Sequence, residues 1–171
     1  MKRKLIFALV AALLLAPWPV VYAHDDVLAG NRPVSIETAA PTTTPKLNVY
    51  RNAIGGVTPG DLFYIDITSS DTARQFILYL TNTDELAGQY RYLTLNIGVY
   101  MRTVSGGWEK VNTGGGETPD DTYLTMLGGQ VNFSLPGYAN YKITIDRGSF
   151  YSYGGSSGQG VILPKFYLTT G

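Results

Sequence analysis

The chain has 171 residues, one histidine, no cysteine, and 13 Lys/Arg against 13 Asp/Glu. Its 44% hydrophobic content is enough for the core of one domain, and the absence of cysteine excludes thiol catalysis, iron–sulfur clusters and cysteine-ligated zinc. A charge this balanced and scattered argues against nucleic acid or an anionic membrane as partner.

Residues 1–23 read as a secretory signal peptide. Lys2, Arg3 and Lys4 form a basic start, Leu5–Ala16 an apolar run too short for a comfortable membrane span, and Val21-Tyr22-Ala23 a small-residue cleavage site. Cleavage after Ala23 removes three cations and no acid, leaving 10 Lys/Arg against 13 Asp/Glu. No cysteine follows the apolar run for lipid attachment. The expected product is secreted, extracellular or at the cell surface, and free of the membrane after cleavage.

Residues 24–45 lack a sustained period and end in a Thr/Pro cluster, as an extended N-terminal arm and linker would. Within the arm, Val34 and Ile36 alternate with Ser35 and Glu37, so this stretch can act as a strand when given a partner.

The segment 46–171 reads as strands separated by turns. Candidates are 46–52, 61–70, 74–82, 89–104, 108–112, 122–127, 130–135, 140–148 and 161–170. In 61–70, Phe63, Ile65 and Ile67 share one face and Leu62, Tyr64 and Asp66 the other. In 89–104, Leu93, Leu95, Ile97, Val99 and Met101 alternate with polar and aromatic residues, which suits a half-buried antiparallel strand. Gly98 in its middle marks a bulge or bend. Gly106-Gly107 and Gly128-Gly129 read as hairpin turns, Pro136-Gly137 as a further turn, and 149–160 as a Tyr/Gly/Ser loop. Pro164 confines the last strand to a sheet edge or to a bulge. Helix is confined to a turn at 71–76 or 83–89. Eight or nine short strands with turns every 8–12 residues are the pattern of an all-β antiparallel β-sandwich.

Few side chains can carry chemistry. His24 becomes the first residue after cleavage, as in a copper brace, but no second histidine exists to complete one. A Ser-His-Asp triad and a histidine-ligated zinc fail for the same reason. Asp25/Asp26, Asp84/Glu85 and Asp120/Asp121 are adjacent pairs in tails or turns. Such pairs do not face each other across a cleft as a hydrolase requires. The expectation is that the protein is not an enzyme and needs no cofactor. Asp120 and Asp121 are the best ligands should a structural calcium be held by a loop. Phe150, Tyr151 and Tyr153 bunch in the 149–160 loop, where planar rings can stack on sugars. A secreted carbohydrate-binding or adhesive module, with polysaccharide as partner, is therefore one reading.

The stretch "VTPGDLFYIDITSS…FILYLTNTDELAGQYRYLTLNIGV" supports another. Pro59, Gly60 and Asp61 open a strand, a second strand ends at Asn82-Thr83, and a tyrosine and a long alternating strand follow. Over residues 57–99 this resembles TasA/camelysin-type secreted fibre subunits, including archaeal bundling pili. The resemblance implies a jelly-roll-like sandwich in a structural subunit of an extracellular filament, pilus or biofilm matrix. It also implies a homopolymer with head-to-tail contacts, in which the arm of one copy enters the next. An open sheet edge exposes unpaired backbone groups, and a donated strand satisfies them. Val34 and Ile36 are the best donor residues, Val27 and Leu28 the second.

Overall fold

The computed structural model describes residues 21–23, 34–39, 46–47, 54–68, 74–111, 122–153 and 162–171. Twelve strands are present among them: β1 (Val21–Ala23), β2 (Val34–Thr38), β3 (Lys46–Leu47), β4 (Ile54–Thr58), β5 (Gly60–Ile67), β6 (Arg74–Leu80), β7 (Tyr90–Arg102), β8 (Trp108–Lys110), β9 (Thr122–Thr125), β10 (Gln130–Leu135), β11 (Ala139–Ser152) and β12 (Phe166–Thr170). One helix, α1 (Thr83–Gln89), lies between β6 and β7. The all-β, two-layer sandwich expected from the strand pattern is present. The strand count exceeds eight or nine because several edge pieces are two to five residues long.

One layer has four strands in the order β1-β12-β6-β10. The other has eight and is organised around β11, whose 14 residues pair with β7 along one edge. Along the opposite edge β11 pairs first with β5 and then with β4. β2 adds to β5, β3 to β4, and both β8 and β9 to the far edge of β7.

Residues 54–58 lie outside every strand expected from the sequence, yet they form one. Ile54–Thr58 is a strand despite its glycine pair, and Pro59 only interrupts a path that continues into β5 along the same neighbour. Gly55 is required where it stands, because a Cβ there would lie 2.2 Å from the Phe150 ring. The glycine leaves room for an aromatic side chain to lie across the backbone.

Two of the three bulges along β11 set which residues face inward in the middle of the sheet. Ile143 pairs with Phe63 and Thr144 with Asp61, so Leu62 is an extra residue in β5. Leu62 and Phe63 are consequently both buried, where strict alternation had placed Leu62 outside. The second bulge explains Gly98. Ile145 pairs with Ile97 and Arg147 with Asn96, so the extra residue is Asp146 on β11. Gly98 itself stays in register, and a Cβ on it would sit 2.4 Å from an Asp146 carboxylate oxygen.

Between the layers lies one apolar core. Phe76, Leu78, Phe133, Phe166 and Leu168 come from the four-stranded side, and Phe63, Ile65, Leu95, Ile97, Ile143 and Ile145 from the other. Phe76 and Phe133 stack with centroids 5.9 Å apart, and Tyr90 meets Phe150 edge-on at 5.7 Å. Burying each such side chain contributes roughly 1.5–3 kcal/mol before the cost of ordering it.

The Gly128-Gly129 turn does not close a hairpin. β9 pairs with β7 and β10 with β6, so the turn carries the chain from one layer to the other. Gly106-Gly107 does turn β7 back into β8. Pro164 precedes β12 rather than lying in it, and β12 has β6 on one side and β1, parallel, on the other.

Candidate functional site

β2 is the part of the expected arm that the structure describes. Val34 to Thr38 pair antiparallel with Ile67 to Phe63 of the same chain, which makes β2 the outermost strand beside β5. Val34 and Ile36 point into the core at 8% and 6% exposure, while Ser35 and Glu37 face out. The Ala39 N–H extends the pairing by donating to the Leu62 carbonyl at 2.9 Å. Val34 and Ile36 thus have the side-chain placement of a strand filling a slot. Val27 and Leu28 lie outside the described residues.

Phe150 is misplaced in the expected aromatic loop. β11 runs on to Ser152, and Phe150 is fully buried against Tyr90 and Gly55, so it cannot meet a ligand. The run "SFYSYGG" hides this because its Ser and Tyr residues occupy the outward positions of a continuing strand. Tyr151 lies on the surface stacked on its cross-strand partner Tyr92 at 6.2 Å, and Tyr153 is half exposed. Asp120 and Asp121 lie outside the described residues. Within the described residues, no three His, Cys, Asp or Glu side chains converge as a metal would require.

Sequence reasoning missed the most connected polar cluster, on the outer face of the eight-stranded sheet. Asp61 accepts a hydrogen bond from the Tyr64 hydroxyl at 2.6 Å and one from Lys142 Nζ at 3.1 Å. The Lys142 ammonium also lies 5.2 Å from the Trp108 ring centre and 5.5 Å from that of Tyr100, within cation–π range. Asp146, bulged over Gly98, accepts from Thr144 Oγ1 at 2.6 Å and from the Tyr100 hydroxyl at 3.1 Å, and pairs with Lys110 at 3.1 Å. Burial, together with the neighbouring carboxylates, pushes the Tyr64 and Tyr100 hydroxyls up to about 12. At neutral pH they are firm donors. Each of these residues is an outward position of β5, β7, β8 or β11, but only the register reveals that they are neighbours. The network pairs its carboxylates with Lys142 and Lys110 and positions the Tyr64, Tyr100 and Trp108 side chains.

Asn82, part of the fibre-like pattern, has a definable role. It stands at the start of α1 without capping it. Its side chain instead donates to the Leu163 carbonyl at 2.9 Å and accepts from the Lys165 N–H at 2.8 Å. Asn82 also donates to Glu85, and this bond together with Lys165 Nζ at 3.2 Å holds the Glu85 carboxyl below its usual range. This clamp fixes the approach of the chain to β12.

No protein-family model matches the chain, and no curated protein matches it. The functional reading therefore rests on the residues and their geometry.

Proposed function

We propose that the protein is a secreted structural subunit that assembles head to tail into an extracellular filament, each copy donating its β2 segment to the next. The observation that carries this reading is the placement of β2. It is a short edge strand at the N-terminal side of the sandwich, held by one ladder to β5 and by two buried side chains. The sequence "APTTTP" (40–45) stands between it and β3. A strand held in this way makes the same contacts with the β5 of a neighbouring copy as with its own, which is the logic of domain swapping. The resemblance over residues 57–99 points the same way.

A second edge supports head-to-tail assembly. β1, Val21–Ala23, lies at the end of the leader and pairs with β12. Cleavage after Ala23 would detach it and leave the backbone groups of β12 open on that side. The processed subunit would then offer an edge that the unprocessed chain covers.

Electron microscopy of the exported protein tests the reading. Filaments are expected from the chain beginning at His24, and deleting residues 24–40 should leave soluble monomers. Filaments that persist unchanged after the deletion would sink the donor mechanism.

A further inference from the structure

The outer face of the eight-stranded sheet carries two neighbouring cross-strand rows that differ in how their polar groups are used. One runs through Tyr64, Lys142, Tyr100 and Lys110, which are tied to one another or to Asp61 and Asp146. The next row crosses the same strands. Asp66 on β5 pairs with Ser35 on one side and Asn140 on the other, and Arg102 on β7 pairs with Trp108 on β8. Arg102 stands one residue beyond the Tyr141–Met101 pair, which brings it level with Asn140. Among the described residues, no side-chain hydrogen bond or ion pair engages Asp66, Asn140 or Arg102.

These three groups and the Trp108 ring line an open groove of about 330 Å³. A second depression of about 280 Å³ shares Asp66 and Asn140 and continues to Tyr138. The Tyr138 side chain is 73% exposed, and its backbone is held at a φ of 50°, uncommon for a bulky residue. The two depressions adjoin at Asp66 and Asn140, and an exposed aromatic ring lines each, Trp108 in one and Tyr138 in the other.

We propose that these adjoining depressions bind an extended glycan. A carboxylate, a carboxamide and a guanidinium each present coplanar polar atoms, which match pairs of adjacent sugar hydroxyls. Flat aromatic rings take the apolar C–H faces of pyranoses. Asp66 and Glu37 stand opposite Arg102 in the groove lining, so no field of one sign favours a polyanion or a polycation. The satisfied row supplies rigidity, since Lys142 and Tyr64 both hold the Trp108 ring, the latter at 6.2 Å. A groove open to solvent suits a chain lying across it better than an enclosed small molecule. The site lies at the end of the sheet, and Ser35 and Glu37 line it from β2 whether that strand comes from the same chain or from a neighbour. Trp108, Asn140 and Tyr138 belong to the sandwich body, so failure of either proposal leaves the other standing.

The test screens the purified protein on an array of linear oligosaccharides and titrates the best binder, together with cellohexaose, laminarihexaose and chitohexaose, by tryptophan fluorescence. Trp108 is the only tryptophan after the leader, so its emission reports the groove directly. Binding is expected to weaken more than about tenfold in Trp108→Ala and in Asn140→Ala, and to be unchanged in Tyr153→Ala. Circular dichroism checks that each variant is folded. Tyr138→Ala, read by calorimetry and outside every strand, carries the test should Trp108→Ala disturb β8. Wild-type affinity in folded Asn140→Ala and Tyr138→Ala, no oligosaccharide bound, or binding of an oligolysine peptide alone would each overturn the proposal.

Discussion

At Asn82, one side chain joins two segments 81–83 residues apart in sequence, through its bonds to Leu163 and Lys165. Replacing it with alanine leaves a buried carbonyl and a part-buried N–H without partners. Each such orphan costs about 1–3 kcal/mol, so Asn82→Ala should destabilise the fold by about 2–4 kcal/mol in urea titration. A loss under about 0.5 kcal/mol would show that the clamp is incidental. Asp61 is a similar case. In sequence it reads as strand-entry punctuation. In the fold it anchors Tyr64 and Lys142, and through Lys142 the Trp108 ring.

At the scale of elements, β5, β7 and β11 share the tyrosines whose protons are held most tightly. Tyr64 and Tyr100 release theirs near 12 in the fold, whereas an unfolded tyrosine does so near 10. Burial raises Tyr90 and Tyr141 as well. Since the unfolded chain loses its protons first, this stabilisation is complete below about pH 10 and is lost between about pH 10 and pH 12. The urea midpoint should therefore fall from about pH 9 to about pH 11.5, and Tyr64→Phe should flatten the decline. A pH-independent midpoint would contradict the assignment. Much of the core was legible from alternation alone: Phe76, Leu78, Ile97 and Ile143 lie where the pattern puts them, and the helix occupies 83–89, one of its two expected places. What alternation missed are departures from period two. The extra residues Leu62 and Asp146 reset the faces of β5 and β11, and their cause lies in the partner strand rather than in local sequence. β4 was hidden by Gly55-Gly56, and the reason for Gly55 is a ring supplied by Phe150, about 95 residues away. The polar face was hidden because cross-strand neighbours are set by register, which composition does not specify.

At the scale of the whole molecule, two edges and one face of the sandwich carry the proposals. β2 covers the edge of β5, and β1 covers that of β12. If β2 is donated between copies, the donor also brings Ser35 and Glu37 to the groove of its acceptor, because both line it from β2. Polymerisation would then complete each binding groove with residues from a neighbour and place the grooves at regular intervals along the filament. Strand donation requires β2 to pair with β5 in trans. Ser35 and Asp66 are direct cross-strand partners, and antiparallel partners lie about 4.5–5.5 Å apart at Cα, within reach of a disulfide. The chain has no cysteine of its own, so a Ser35→Cys/Asp66→Cys double variant reports this pairing without background. Oxidised filaments of that variant should run as a covalent ladder on a non-reducing gel, collapsing to monomer on reduction. Filaments whose disulfides are all internal, giving monomer alone on the same gel, would contradict strand donation.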